Sequence, residues 1–196
     1  MKVRTLIAAA IFGSLAASAS AQLITPAGVS GLGIYAGSAS RITNGVLPSE
    51  SSSWLSSRNV WWASPIAMFT IDLGSAFRVN DLLVSVDHND AYHFEYSLDG
   101  LWFDSLTTVL PGHGEIRGGM DTISSLLGHS EYVAGFDFTP VDARYLRVFA
   151  TDGDWLYAIG EVQAFGTPVP EPSTYGLVAA FGLVGLVAWK RRKRTS

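Results

Sequence analysis

The chain has 196 residues, 48% hydrophobic and 12% aromatic, with 20 glycines and a formal net charge of −4. It has no cysteine, which excludes thiol catalysis, cysteine-based zinc or iron sites, and any disulfide staple. Residues 22–166 hold six arginines, no lysine and sixteen carboxylates, a net −10 that repels phosphate backbones, so nucleic acid is a poor partner while calcium and neutral sugars are compatible.

The first 21 residues have the layout of a secretory signal peptide. Lys2 and Arg4 make a charged start, Leu6 to Ala17 is apolar, and Ala19-Ser20-Ala21 offers the small-x-small pattern of a cleavage site. Cleavage after Ala21 leaves Gln22 as the first mature residue. An uncleaved anchor helix is the alternative.

From Gln22 to Gly166 helical periodicity is almost absent, and short alternating runs are separated by Gly, Asn, Asp, Ser and Pro. This is the pattern of an all-β sandwich or barrel. Phe69–Leu73 alternates, then Gly74-Ser75 turns the chain. Val79–Val86 is a second strand. Phe94–Ser97, Leu98-Asp99-Gly100 and Leu101–Phe103 read as a hairpin, since Asp-Gly readily takes the positive φ of a tight turn. Phe136–Phe138, Tyr145–Ala150 and Glu161–Phe165 are further strands. Gly112–Gly128, rich in glycine, reads as a long surface loop with a short helical turn at Ser124–Leu127. Residues 167–174 form a Pro-rich linker, 175–189 an apolar segment and 190–196 a basic tail.

The apolar segment, Tyr175 to Trp189, would span about 22 Å as a helix, just enough for a thin bilayer with snorkelling flanks. Lys190, Arg191 and Arg192 open a run of five cations that holds the tail on the cytoplasmic side and the domain outside. Val169-Pro170-Glu171-Pro172, the apolar run and the basic cluster together resemble the PEP-CTERM sorting signal. That resemblance implies recognition by an exosortase-type membrane protease, transient anchoring in the inner membrane of a Gram-negative cell, and export to the surface or matrix alongside exopolysaccharide.

Four spaced motifs carry a second resemblance. They are Phe69–Gly74, Tyr96–Trp102, Ala143–Val148 and Gly160–Gly166, and together they resemble the discoidin, or coagulation-factor type C, domain of the galactose-binding-like class. The resemblance implies a jelly-roll-like β-sandwich over residues 22–166 whose end loops bind sugars, lipid headgroups or proteins. It also implies a structural calcium between Asn44-Gly45 and Glu161, although Val46–Ser53 lacks the further Asp and Thr expected there and has Glu50 as its only carboxylate.

Two polar groups fall between strands, where binding residues are usually carried. Asp87-His88-Asn89-Asp90 with Tyr92 fits a solvated Asx-type turn, a calcium site, or direct ligand contact through Asp87, Asn89, Asp90 and Tyr92. Asp152-Gly153-Asp154-Trp155 suits sugar recognition: Asp152 and Asp154 would accept hydroxyl protons while the Trp155 ring covers an apolar sugar face. A tight turn with Trp155 folded onto the core is its alternative. Trp54, Trp61 and Trp62 are expected in the core, with stacking open to one of them.

Catalytic signals are weak. His88 and His93 stand five apart, a spacing that shares no face of a helix or strand, and no nucleophile elbow or His-Glu-x-x-His helix occurs. Arg144 and Arg147 are expected to brace acidic neighbours. The expectation is an exported, non-enzymatic module that binds carbohydrate. A structural or adhesive matrix protein and a glycan-active enzyme are the alternatives.

Overall fold

The computed structural model describes residues 21–116, 118–170 and Lys190. Nine strands follow in chain order: β1 (Gln22–Ile24), β2 (Gly28–Leu32), β3 (Val60–Ala63), β4 (Met68–Asp87), β5 (Ala91–Ser97), β6 (Asp104–Val109), β7 (Met120–Ser124), β8 (Val141–Asp152) and β9 (Leu156–Pro168). All named pairings are antiparallel, and two short 3-10 turns are the only helical elements named among the described residues.

The twenty-residue β4 organises both layers. Its first half, Met68–Asp72, pairs with β2 on one side and β8 on the other. Its second half pairs with β9 and β7. Between them the register shifts from Asp72 to Phe77, where Gly74 adopts φ +85° and donates its N–H to Asp72 Oδ1 at 2.7 Å. An aspartate capping its own turn beside a glycine free to take positive φ is what lets a strand round a corner. One layer is thus β2-β4-β8-β5-β6, the other β7-β4-β9 with β1 and β3, and the apolar residues of both inner faces meet between them.

Most alternating runs became strands, and the two apolar runs Phe69–Leu73 and Val79–Val86 are one continuous strand. Three expectations need correction. Leu101–Phe103 is not the second arm of the hairpin: these residues belong to the β5–β6 turn, and β6 begins at Asp104. Phe136–Phe138 is no strand: Ala134–Phe136 is a 3-10 turn that drops Phe136 into the core, edge-on to Phe94 at 5.8 Å. Ser124–Leu127 forms no helical turn. Ser124 ends β7, a strand inside the expected loop that is buried on both faces and therefore shows no alternation.

Registers fix the two ends of the sandwich. β5 ends at Ser97 beside Tyr145 near the start of β8, while β9 ends at Pro168 beside Phe77, and Phe77 also faces Ala143 of β8. β1 runs beside β9 with Gln22 opposite Gly166. Entry, exit and the β5–β6 turn therefore share one end. The loops at 64–67, 87–90, 110–119 and 153–155 cluster at the other.

Beneath that loop end lies an aromatic floor. Trp62, fully buried, sits 5.3 Å from Phe69, 5.7 Å from Tyr157 and 6.3 Å from Tyr92. Trp54 and Trp61 pack edge-to-face at 5.8 Å, half-buried on the outside of the same region.

The expected cleavage residue Ala19, the sorting residues Glu171 and Pro172, the apolar run 175–189 and the basic residues Arg191 and Arg192 lie outside the described residues. Of the remainder, Ala21 is exposed, Val169 N–H donates to Ala76 O at 2.9 Å, and Pro170 and Lys190 are exposed. Among the described residues no helix is long and apolar enough to cross a membrane.

Candidate functional site

Trp155 stands at the tip of the β8–β9 connection, 62% exposed, with φ +75°. A bulky residue seldom adopts positive φ, and such strain persists only where neighbours impose it. Here two loops do so. Ser64 N–H donates to Trp155 O at 2.9 Å, and Asp154 N–H donates to Asp90 Oδ1 at 3.1 Å. Gly153 makes the second bond possible: at φ +139°, a Cβ on it would overlap the Asp90 carboxylate.

Asp90 is the hinge of the arrangement. It is fully buried; Tyr92 donates its hydroxyl proton to Asp90 Oδ2 at 3.3 Å and accepts from Ala158 N–H at 3.1 Å. Burial pushes the Asp90 carboxyl up to about 7, helped by the charges of Asp87 and Asp154. Burial likewise pushes Asp87 up to about 6, with Asp154 again adding to it. Asp87 Oδ1 finds no hydrogen-bond donor among the described residues. Asp152, Asp154 and Asn89 are exposed around this buried pair.

The six-residue stretch Asp87 to Tyr92 therefore divides in two. Asn89 faces solvent, whereas Asp87, Asp90 and Tyr92 lie inside and support the rim. The structure brings Asp90, Asp154 and Trp155 into one contact, across 64 residues of sequence between Asp90 and Asp154. A cleft of about 580 Å³, lined by His88, Asn89, Pro111, Gly112, Gly114 and Glu115, opens on the far side of Asn89. Its floor is held by His88 Nδ1 on Asp121 Oδ2 at 3.0 Å, and Asp121 is itself buried. Glu50 hydrogen-bonds Asp121, and burial raises both carboxyls. Sequence reasoning named Gly153 as a member of its loop but missed Ser64 and Asp121, neither of which lies in the two polar groups singled out.

Asn44 and Glu161 also come together, but through the backbone. Glu161 takes Gly45 N–H on both oxygens, at 3.0 and 3.2 Å, while Asn44 Oδ1 accepts from Val46 N–H at 2.9 Å. Burial raises the Glu161 carboxyl despite these donors. A carboxylate facing N–H groups already has the positive partners a cation would supply, so this donor set does not fit calcium. Among the described residues no group of three or more His, Asp or Glu side chains is arranged to hold a metal ion.

Both arginines brace acids, as read from the sequence. Arg144 reaches both oxygens of Asp72, at 3.1 and 3.2 Å, and Arg147 Nε meets Glu95 at 2.6 Å. His93 bonds Thr108 at 2.8 Å and packs on Phe149, remote from His88 in role.

The family model of the PEP-CTERM protein-sorting motif matches residues 168–193, so the chain carries that motif. No curated protein matches the sequence. Among solved structures, a truncated AlyQ with CBM32 and alginate lyase domains is similar at 16% identity and TM-score 0.51, over 78% of this chain and 35% of that one. This chain thus spans about a third of that relative's length. A module from Clostridium perfringens, CpGH89CBM32-5 in complex with GalNAc-β-1,3-galactose, is 14% identical at TM-score 0.48, over 74% of this chain and 100% of that one. Chitosan-binding module 1 from a chitosanase/glucanase of Paenibacillus sp. IK-5 is 21% identical at TM-score 0.48, over 73% and 96%. At such identities the likeness speaks to architecture: the fold is a discoidin-like β-sandwich of the kind found in carbohydrate-binding modules.

Proposed function

We propose that this protein is exported, sorted through its C-terminal motif by an exosortase-type protease, and binds carbohydrate without catalysis. The ligand class is a neutral exopolysaccharide of the cell envelope. The inner membrane holds the chain before processing, and the surface or surrounding matrix receives it afterwards. One observation carries the binding reading: an exposed indole held at positive φ beside exposed carboxylates, on the loop end of a sandwich.

The chemistry follows from the geometry. A pyranose has an apolar C–H face and an equatorial fringe of hydroxyls, so it needs a flat ring and acceptors at its edge. Trp155 supplies the ring. Asp152 and Asp154 accept hydroxyl protons, and the Asn89 amide both donates and accepts. Asp90 stays beneath, positioning the Asp154 backbone, and Gly153 keeps the loop low enough for that bond. The pre-set loop spares the ligand the cost of ordering it.

The test is a screen of the purified full chain in detergent against diverse polysaccharides, with calcium and with chelator. Binding that Trp155→Ala abolishes in both conditions supports the reading as stated. Binding lost only with chelator adds calcium to the site. Silence across the panel overturns the carbohydrate reading in favour of a structural matrix role.

A further inference from the structure

The end of the sandwich opposite Trp155 presents a second exposed apolar group that the carbohydrate reading does not use. The turn from β5 to β6 leaves Leu98 57%, Leu101 79% and Trp102 82% exposed. Asp99 Oδ1 accepts the N–H of Leu101 at 2.8 Å, the N–H of Trp102 at 3.0 Å and the Ser97 hydroxyl at 3.0 Å. Ser97 Oγ in turn accepts Gly100 N–H at 2.9 Å, and the Arg147 guanidinium covers the Phe103 ring at 3.8 Å. The turn is thus braced, with Leu98, Leu101 and Trp102 left exposed to solvent. Exposed apolar groups gathered on one ordered turn mark a contact surface.

Its position says what lies against it. Ser97 is opposite Tyr145 on β8, and two residues earlier Ala143 faces Phe77, whose neighbour on β9 is Pro168. Three strand spacings of about 4.8 Å put this turn and the chain's exit roughly 15 Å apart on one edge. Beyond Pro170 only Glu171–Thr174 precede the apolar run that begins at Tyr175. Fully extended, that linker reaches about 17 Å. The turn therefore hangs within a side chain's length or two of whatever surface the tail enters. Arg78, Arg144 and Arg147 at this end are each set against a carboxylate: Asp142, Asp72 and Glu95.

We propose that Leu98, Leu101 and Trp102 dock into the outer leaflet of the phospholipid bilayer that carries the chain's own tail. The indole takes the amphipathic interfacial position that tryptophan favours, and the leucines reach the acyl boundary. The contact fixes the sandwich upright, with the Trp155 end pointing away from the membrane. The proposal rests on the anchored reading of the tail.

The absence of cysteine makes the test direct. Single-cysteine full-length chains, Leu101→Cys, Trp102→Cys, Leu32→Cys and Val187→Cys, are labelled with a polarity-sensitive fluorophore. They are then reconstituted into phosphatidylethanolamine/phosphatidylglycerol vesicles with spin-labelled acyl chains. Leu32 is 68% exposed at the opposite end and serves as the solvent control. The expected result is blue-shifted emission and several-fold stronger lipid quenching at positions 101, 102 and 187 than at 32. Quenching at 187 with position 101 matching position 32 overturns the docking proposal and leaves the anchor standing. No quenching at 187 overturns both. Shielding of 101 and 102 only when exosortase is co-reconstituted makes the occupant a protein and also overturns it. Circular dichroism of each variant confirms an intact sandwich, and polysaccharide binding by Leu101→Cys reports the far end independently.

Discussion

The two ends of this sandwich each show solvent a tryptophan, and they hold it by opposite means. Trp155 sits beside buried carboxyls that burial raises to about 6 (Asp87) and about 7 (Asp90), on a backbone bent into a conformation few side chains accept. Trp102 sits on a turn where Asp99 is fully exposed and its carboxyl is held low by the backbone N–H groups of Trp102 and Leu101. At that end every arginine has an acid beside it. The loop end stores unfavourable electrostatics and strain, whereas the exit end is locally satisfied. Strain and buried charge collect where a ligand can relieve them. A satisfied turn has nothing to gain from a polar ligand, only from covering its apolar side chains.

The loop end rests on its aromatic floor. Trp62→Ala should cost about 3–5 kcal/mol of stability, because a fully buried indole in contact with three aromatic rings leaves a large cavity. Chemical denaturation of the full chain in detergent would show it, and a cost below 1 kcal/mol would mean that the floor does not support the loops. Next, Trp155→Ala should weaken polysaccharide binding tenfold or more, about 1.4 kcal/mol or above, while Trp102→Ser leaves it unchanged. Equal losses from both would erase the distinction between the ends.

The buried carboxyls of the loop end also make stability depend on pH. Asp87 and Asp90 are raised to about 6 and about 7 in the fold, so folding favours their protonated forms. Their contribution is fully present below the ordinary aspartate value and is lost as pH rises through about 6 to 7. Stability should therefore fall as pH rises from about 4 to about 7 and level off above that, and Asp90→Asn should flatten the upper part of that decline. A flat wild-type profile would contradict the buried-carboxylate picture. Smallest of all, Arg144→Gln at the exit end should cost under about 1 kcal/mol, since both it and Asp72 are partly exposed.

The sequence showed the strands whose two faces differ. Phe69–Leu73 and Tyr145–Ala150 alternate because one side of each is covered and the other is not. It hid strands of two kinds. β7 is buried on both faces and so lacks a period, and β2 reads Gly-Val-Ser-Gly-Leu, with glycines where a strand pattern needs side chains. The site was legible as two polar loops, and their residue types pointed to sugar chemistry. Which members turn inward was not legible. Asp90 is buried because Gly153, far along the chain, leaves room above it and Asp154 supplies an N–H, a cross-loop contact that no local window contains. Asn44 and Glu161 were paired by resemblance, yet their backbone donors become visible only with the loop folded around the carboxylate.

Gln22 and Gly166 are neighbours across a strand pair. The chain thus enters and departs through one doorway. Splicing the sandwich into a surface loop of an unrelated host would require its ends to be only one strand spacing apart, about 5 Å. Joining those ends by a short bridge and reopening the chain at Gly112–Gly114 would likewise spare every ladder but the last two β4–β9 pairs, Arg78 with Thr167 and Phe77 with Pro168. The architecture is that of a cartridge, its two ends side by side and away from the loops around Trp155.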